Sequence, residues 1–144
     1  MCGYCGCRAI TVIGQLSAEH DQIVNLTGEL RRAVDGADTA AVRGAVTALK
    51  AALDPHASTE EHGLFAELRR DGDFTDHVDA LCGEHHDLDA RLDRLADGDL
   101  SGFPAFETLL RRHIDREENG LFPAAAIALD GPAWERVTAL TGLA

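Results

Sequence analysis

The sequence is dominated by helical periodicity that a few short Asp- and Gly-rich breaks interrupt. Apolar residues recur every three or four positions over long stretches, and the alternation typical of strands is almost absent. The breaks lie at Asp35–Asp38, Asp71–Asp73, Asp97–Gly102 and Asp130–Pro132. These features predict an all-α chain.

The breaks divide the chain into four long helices and one short helix. We expect the long helices at about Ala9–Val34, Thr39–Arg70, Thr75–Ala96 and Pro104–Leu129. Pro55 lies inside the second helix and is expected to kink it near Asp54. The short helix carries Trp134, Val137 and Leu140. Long helices joined by short loops predict an up-down-up-down four-helix bundle with a short extra C-terminal helix.

Length and charge narrow the class of protein further. The chain has 144 residues, which predicts one domain over residues 9–144, preceded by a Cys-rich segment over residues 1–8. Its net charge of −12 argues against nucleic acid as a partner, because phosphate binding needs a basic face. No apolar run is long enough to span a membrane, and no signal peptide is evident, so we expect a cytoplasmic protein.

Two segments of the chain repeat the same pattern, His-x-x-x-Glu-Glu-x-Gly-Leu-Phe. One copy runs from His56 to Phe65 and the other from His113 to Phe122. A His and a Glu four residues apart lie on one face of a helix, about 40° apart. Each repeat therefore presents an imidazole and a carboxylate together.

Each long helix carries one His in the middle of its apolar stripe. In chain order these are His20, His56, His85 and His113. The apolar neighbours within about 60° of a His include Leu16, Ile23, Leu49, Leu53, Leu81, Leu88, Phe106 and Leu110. A single inward His is usually an ordinary core residue, but one on every helix indicates a shared site.

The two inward glutamates, Glu60 and Glu117, indicate that this site binds metal. Buried carboxylates without a counter-charge cost several kcal/mol each, and the inward stripes contain no Lys or Arg. A cation cluster resolves this, because imidazole and carboxylate both become ligands. Six ligands are too many for one tetrahedral zinc and suit two ions that share the carboxylates. Mixed nitrogen and oxygen ligands favour iron, with manganese second.

At this point the sequence resembles the hemerythrin-like (HHE cation-binding) family. The resemblance rests on the order His, His-x-x-x-Glu, His, His-x-x-x-Glu along the four helices and on the Glu-Glu-x-Gly-Leu-Phe tails, and it covers roughly residues 9–129. It implies a four-helix bundle with a non-haem di-iron centre, bridged by oxo or hydroxo. By that resemblance the iron ligands are His20, His56, Glu60, His85, His113 and Glu117, with the two glutamates as bridging carboxylates.

One departure from the oxygen-carrying hemerythrins concerns the third helix. Those proteins have two His four residues apart there, whereas Asp89 follows His85 at that spacing in this chain. Asp89 or Glu84 could complete the set, and His86 could be a further ligand or an outer partner. This difference favours a site at which peroxide, water or nitric oxide coordinates over one for simple oxygen carriage.

The residues that follow each repeated His-x-x-x-Glu are expected to point away from the metal. Phe65 and Phe122 lie about 180° from their His on a regular helix, so only a helix that ends or bulges would turn them inward. Glu61 and Glu118 are expected to be solvated, although either could reach a metal.

The N-terminal cysteines suggest a second site. Cys2, Cys5 and Cys7 could supply three ligands of a zinc or iron–sulfur site, with Cys82, His86 or a residue of another chain as the fourth. Thiol oxidation with resolution by a neighbouring Cys is an alternative, as is a segment with no bound partner.

The sequence thus favours a hemerythrin-like di-iron protein that binds or reacts with dioxygen, peroxide or nitric oxide, with peroxide decomposition among the reactions. An iron, redox or oxygen sensor that uses the cysteines, and iron storage or buffering, are the alternatives. The partner expected is therefore a small diatomic or peroxide ligand, and a homodimer is left open.

Overall fold

The structure, a computed structural model, describes residues 10–141, and every regular element in that range is helical. Five continuous helical stretches run from one turn to the next. They contain α-helices α1 Thr11–Asp35, α2 Thr39–Thr59, α3 Phe65–Asp71, α4 Thr75–Ala96, α5 Phe103–Arg116, α6 Phe122–Ala128 and α7 Gly131–Thr141. A π-helical segment, Glu60–Leu64, joins α2 to α3, and a second, Glu117–Leu121, joins α5 to α6.

The helix ends follow from local sequence. The Asp38 side chain caps α2 by accepting the amide hydrogen of Ala41, and Asp130 does the same at the start of α7. Gly72 follows α3 with a φ of 87° and Gly98 follows α4 with a φ of 105°. Glycine adopts this left-handed conformation without the steric cost that other residues bear, so the chain can turn sharply there.

The Asp- and Gly-rich breaks located the helices well. The third predicted helix is α4, with the expected bounds Thr75–Ala96, and the short C-terminal helix is confirmed as α7. The second and fourth predicted helices are each not one regular α-helix. Each consists of two α-helices joined by a π-helical segment. Helix α2 runs through Pro55, and the chain leaves α-helical geometry only at Glu60.

The two π segments change which side chains face inward. A π-helical turn takes up one extra residue, so the residues beyond it are rotated by about 100° relative to a regular α-helix. Phe65 and Phe122, which directly follow these segments, are fully buried. The expectation that these rings point away from the site therefore fails, and the bulge is the physical reason.

The helices pack so that a polar layer lies between two apolar cores. Helix α1 contacts α2 and α5, α2 contacts α4, and α4 contacts α5. One core includes Leu16 and Leu81, and the other includes Ile23 and Leu88. His20 lies between Leu16 and Ile23 along α1, so the layer that contains it has apolar side chains on both sides.

Helix α7 covers one end of the molecule. It packs on α3 and on the first π segment, and it adds the buried Val137 to the adjacent core. The Glu67 carboxylate accepts hydrogen bonds from the Arg136 guanidinium, whose Nη2 lies 2.6 Å from Glu67 Oε1. In the part of the chain that the structure describes, no helix is long and apolar enough to cross a membrane.

Gly63 leaves the room into which α7 packs, and substitution there should be costly. A Cβ on Gly63 would lie 2.3 Å from Thr141 Cγ2, whereas the nearest atom to a Cβ on Gly120, at the matching position of the other π segment, is 4.0 Å away. We expect Gly63→Ala to lower the free energy of unfolding by about 1–3 kcal/mol and Gly120→Ala to raise it by about 0.5–1 kcal/mol. Urea denaturation measures both. Thr141→Ala should rescue Gly63→Ala, and equal losses at the two glycines would contradict this packing.

Candidate metal centre

Six side chains that the sequence singled out meet in the polar layer. They form two groups in which the potential ligand atoms all lie within 4.8 Å of one another. One group is His20, His56, Glu60 and Glu117, and the other is Glu60, His85, His113 and Glu117. The two glutamates belong to both groups, so either group could hold a metal ion and the two ions would share these carboxylates.

Helix geometry brings each ligand atom to the centre. His20 and His85 come from the middle of α1 and α4, while His56 and His113 come from the last turns of α2 and α5. Glu60 and Glu117 are the first residues of the π segments, one turn beyond their His.

The imidazole nitrogens and carboxylate oxygens at the centre are closely spaced. His20 Nε2 lies 3.0 Å from Glu117 Oε1, and His85 Nε2 lies 3.0 Å from Glu60 Oε1. His85 Nε2 and His113 Nε2 are only 3.1 Å apart. The arrangement thus concentrates electron-pair donors in a small volume.

Several of these buried atoms have no hydrogen-bond partner among the described residues. They are His56 Nε2, both carboxylate oxygens of Glu60, and Glu117 Oε2. Both glutamates have no solvent exposure. An unpartnered buried carboxylate costs several kcal/mol, and a bound cation would remove this cost by taking these atoms as ligands. The residues present therefore fit a metal centre.

The electrostatics of the metal-free chain reflect this crowding. Burial and the neighbouring charge of Glu117 raise the pKa of Glu60 well above its ordinary value. Burial alone would lower the pKa of His20, but hydrogen bonds to Glu117 and Glu118 outweigh it and raise the pKa of His20 to about 9. Without a cation the centre therefore takes up protons to offset its own negative charge.

Each of the four imidazoles is held from outside by a different carboxylate. A carboxylate only accepts hydrogen bonds, so every Nδ1–H donates and Nε2 is directed to the centre. The pairs are His20 with Glu118 at 3.0 Å, His56 with Glu19 at 2.8 Å, His85 with Glu61 at 2.6 Å, and His113 with Glu84 at 2.9 Å. Such outer partners fix the ring orientation and the tautomer of a metal-binding His.

The centre has an internal two-fold relation. Glu19 and His20 on α1 correspond to Glu84 and His85 on α4. The repeated segment that begins at His56 corresponds to the one that begins at His113. The His20–His56 and His85–His113 ring pairs are alike, with centroids 4.6 and 4.7 Å apart and planes tilted by 54° and 57°. The two candidate metal positions are therefore nearly equivalent.

The rotated phenylalanines complete this relation. Phe122 stacks on His20, with ring centroids 5.7 Å apart, and Phe65 stacks on His85, with centroids 6.0 Å apart. Both rings cover the polar layer on the side of the core that α7 joins. They therefore shield the centre from water.

The candidate residues beyond the six do not join either group. The Asp89 carboxylate is 52% exposed and its Oδ1 lies 3.2 Å from Lys50 Nζ. Glu84 pairs with His113 and with Arg116. His86 is exposed on α4 and belongs to neither of the two groups.

The cysteine motif cannot be placed with the centre. Cys2, Cys5 and Cys7 lie outside the described residues. Cys82 is a free, partly buried thiol that packs against the apolar core, and burial raises its pKa. Its Sγ lies 3.7 Å from Arg69 Nη2.

The outer carboxylates are the functional residues that sequence reasoning missed. Glu118 and Glu61 were expected to be solvated, yet Glu118 is buried and both contact an imidazole. Glu19 and Glu84 each contact a His of a different helix, which the periodicity of a single helix does not indicate. The signal was a repeated Glu-His pair at 19–20 and 84–85 beside the repeated Glu-Glu pair at 60–61 and 117–118.

Comparison with known proteins agrees with this centre. The family model of the hemerythrin HHE cation binding domain matches residues 11–125, a range that contains all six inner side chains. Searches of curated proteins and of solved structures gave no significant match. On the family match, the chain belongs to the hemerythrin HHE cation-binding domain family.

Proposed function

We propose that the protein holds two iron ions in this centre and that they bind or react with a small oxygen species or nitric oxide. The observation that carries the proposal is the pair of overlapping His–Glu groups that share two buried carboxylates. Mixed imidazole and carboxylate donors suit iron, and helix-rich cores commonly hold such carboxylate di-metal centres.

The assignment of ligands follows the two groups. His20 and His56 would hold one ion, His85 and His113 would hold the other, and Glu60 and Glu117 would serve both. We also propose that residues 9–144 form one domain in which the four long helical stretches make an up-down-up-down four-helix bundle, as the family resemblance implies. The ring of contacts among α1, α2, α4 and α5 supports this topology.

Iron bound there would supply redox chemistry and coordination positions for a small exogenous ligand. The protein's own part is to hold the ligand atoms in place before the metal arrives. The outer carboxylates hold each Nδ1–H, so that each imidazole offers its Nε2 lone pair to a metal ion once Nε2 carries no proton. Phe65 and Phe122 pack on two of the imidazoles and exclude water from that side.

Helix α4, the third of the long helices, bears on whether the protein carries oxygen or reacts with a small molecule. Asp89 stands where oxygen-carrying hemerythrins have their second His, and it pairs with Lys50 at the surface. Each proposed ion therefore has two imidazole ligands, whereas a second His at the position of Asp89 would give one of the ions three. This equal and less crowded ligand set supports coordination of a reactive small molecule at either ion.

Iron analysis with an ultraviolet–visible spectrum tests the proposal. We expect about two irons per chain and charge-transfer bands of a bridged ferric pair. Sustained oxygen release after addition of peroxide would mean turnover, and a spectral change without release would mean binding only. A colourless protein with a single zinc would overturn the proposal.

The outer carboxylates should matter for metal affinity even though they touch no metal. Glu84→Gln removes the charged partner of His113 Nδ1 and should weaken metal binding by about 10–100-fold. Competition with a chelator of known affinity measures the change. Asp89→Asn, on the same helix, is the matched control and should leave the affinity unchanged. A loss in Asp89→Asn that equals the loss in Glu84→Gln would mean that Asp89 is itself a ligand.

A further inference from the structure

A small cavity adjoins the centre on the side of His85. It lies between α2 and α4, has a volume of about 30 Å³, and is lined by His85 together with four aliphatic side chains, Leu53, Ala57, Leu88 and Leu92. A volume of about 10–15 Å³ of this kind is enough for one water molecule. The cavity therefore has room for one or two molecules of that size.

The cavity reaches the centre through His85. This imidazole lines the cavity, and its Nε2 lies within 3.1 Å of both Glu60 Oε1 and His113 Nε2. Its side chain is 8% exposed, compared with 2–3% for the other three His of the centre. His85 is thus the most accessible member of the metal-binding set.

The internal two-fold relation places an equivalent cleft on the other side, and that cleft has a volume of about 130 Å³ but is not lined by a His of the centre. The equivalent cleft lies between α1 and α5, where Ile114 occupies the position that corresponds to Ala57. His20 is not one of the described residues that line this cleft. Its lining is polar because it includes Arg31, Glu107 and Arg111. The cavity beside the small Ala57 side chain is thus lined by a His of the centre, whereas the cleft beside the larger, branched Ile114 is not.

The mouth of the cavity selects by charge. Asp54 and Asp89 line it, and Lys50 pairs with Asp89 and with Asp93 and not with Asp54. A mouth of negative charge over an aliphatic interior disfavours anions and admits small uncharged molecules.

We propose that the cleft between α2 and α4 is the entry site through which a small uncharged ligand, of the size of nitric oxide or dioxygen, reaches the metal centre beside His85. This inference rests on the proposed function, since it names the route and the ligand class of that centre. Ala57 is the residue that keeps the route open, and Asp54 is the residue that discriminates against anions.

The first test uses xenon and needs no metal. Small apolar cavities bind xenon, so xenon pressure should shift the methyl resonances of Leu53, Leu88 and Leu92 in the protein as purified. Ala57→Leu should abolish these shifts. Ala51→Leu, the same change at an exposed position of α2, should preserve them. Unshifted methyl resonances in the wild-type protein would overturn the cavity's role.

The second test follows nitric oxide association with the ferrous iron-loaded protein by stopped-flow spectroscopy. Because entry would then require the helices to open, Ala57→Leu should slow association on the order of tenfold with unchanged iron content. Ile114→Ala should extend the equivalent cleft toward His20 and speed association by about twofold. An unchanged rate in both fully loaded variants would overturn the entry proposal alone. A wild-type protein without iron would overturn the proposed function instead.

Charge selection has its own readout. Azide is a small anion, so Asp54→Asn should accelerate azide association at low salt and leave nitric oxide association unchanged. Equal acceleration of both ligands would mean that Asp54 obstructs the mouth sterically, and would overturn the charge argument.

Discussion

A Glu60→Gln protein should bind neither metal ion and yet, without metal, should be more stable than the wild-type chain. Glu60 belongs to both ligand groups, so its loss removes a donor from each. In the metal-free chain its oxygens are fully buried and have no hydrogen-bond partner among the described residues. Glutamine keeps the volume and removes the ionisable group. Because the pKa of Glu60 is raised, the metal-free fold must either bury its charge or take up a proton, and glutamine removes this cost of about 1–4 kcal/mol.

The two halves of this prediction need separate measurements. Elemental analysis of the purified variant gives the metal content, and urea denaturation of chelator-treated proteins gives the free energy of unfolding. Glu67→Gln is the matched control, because Glu67 is also buried but pairs with Arg136 outside the centre. It should keep both metals and lose stability. A Glu60→Gln protein that retained two metals would show that Glu60 is not shared, and one that was less stable without metal would show that Glu60 supports the apo fold.

The predicted loss of metal binding and the predicted gain in metal-free stability have the same physical cause. Ligands held ready for a cation are, without it, buried donors that repel one another. Stability that the fold loses at Glu60 is recovered only when metal binds. The polar layer lies between two apolar cores. These cores hold the helices in register when no metal ion is bound to compensate the charge of the centre.

Most of the fold could be read from the sequence because the chain marks its helix ends locally. Asp-Gly breaks and capping aspartates act within a few residues, and α4 therefore begins and ends where the pattern predicts. The six inner residues could also be found, since inward direction follows from the 3.6-residue period and the stripes offer no cation. Both inferences depend only on local geometry.

The outer carboxylates depend on contacts between helices, and this is why they were missed. Glu19 reaches His56 from the neighbouring helix, which requires the relative register of α1 and α2. Glu61 and Glu118 turn inward because a π segment begins at the preceding residue, and helix propensity does not distinguish such a turn from a regular one. The π-helical turn is favoured by contacts between helices at the centre. It can therefore be recognised only from the assembled helices and not from one helix alone.

The metal-free protein should lose stability as the pH rises from about 6.5 to 9. Hydrogen bonds to Glu117 and Glu118 outweigh burial and raise the pKa of His20 from 6.5 to about 9. The native state therefore binds this proton more tightly than the unfolded state, so the stabilisation is complete below pH 6.5 and lost above 9. For His20 it amounts to about 3 kcal/mol. The raised pKa of His113 acts in the same direction.

Other groups of the centre do not reverse this trend. Burial lowers the pKa of His56 and of His85, so their effect on stability falls below pH 6.5, outside this window. The raised pKa of Glu60 removes stability as the pH rises above 4.5, which adds to the decline.

Urea denaturation of the chelator-treated protein across pH 6–9.5 measures this effect. The metal-loaded protein should show the opposite trend, because the ligands must be deprotonated and metal affinity rises with pH. Glu118→Gln removes one of the two hydrogen bonds that raise the pKa of His20, and it should flatten the decline of the metal-free protein. If the wild-type, metal-free curve were flat or rose with pH, the native centre would bind no more protons than the unfolded chain, and His20 would be neutral in it.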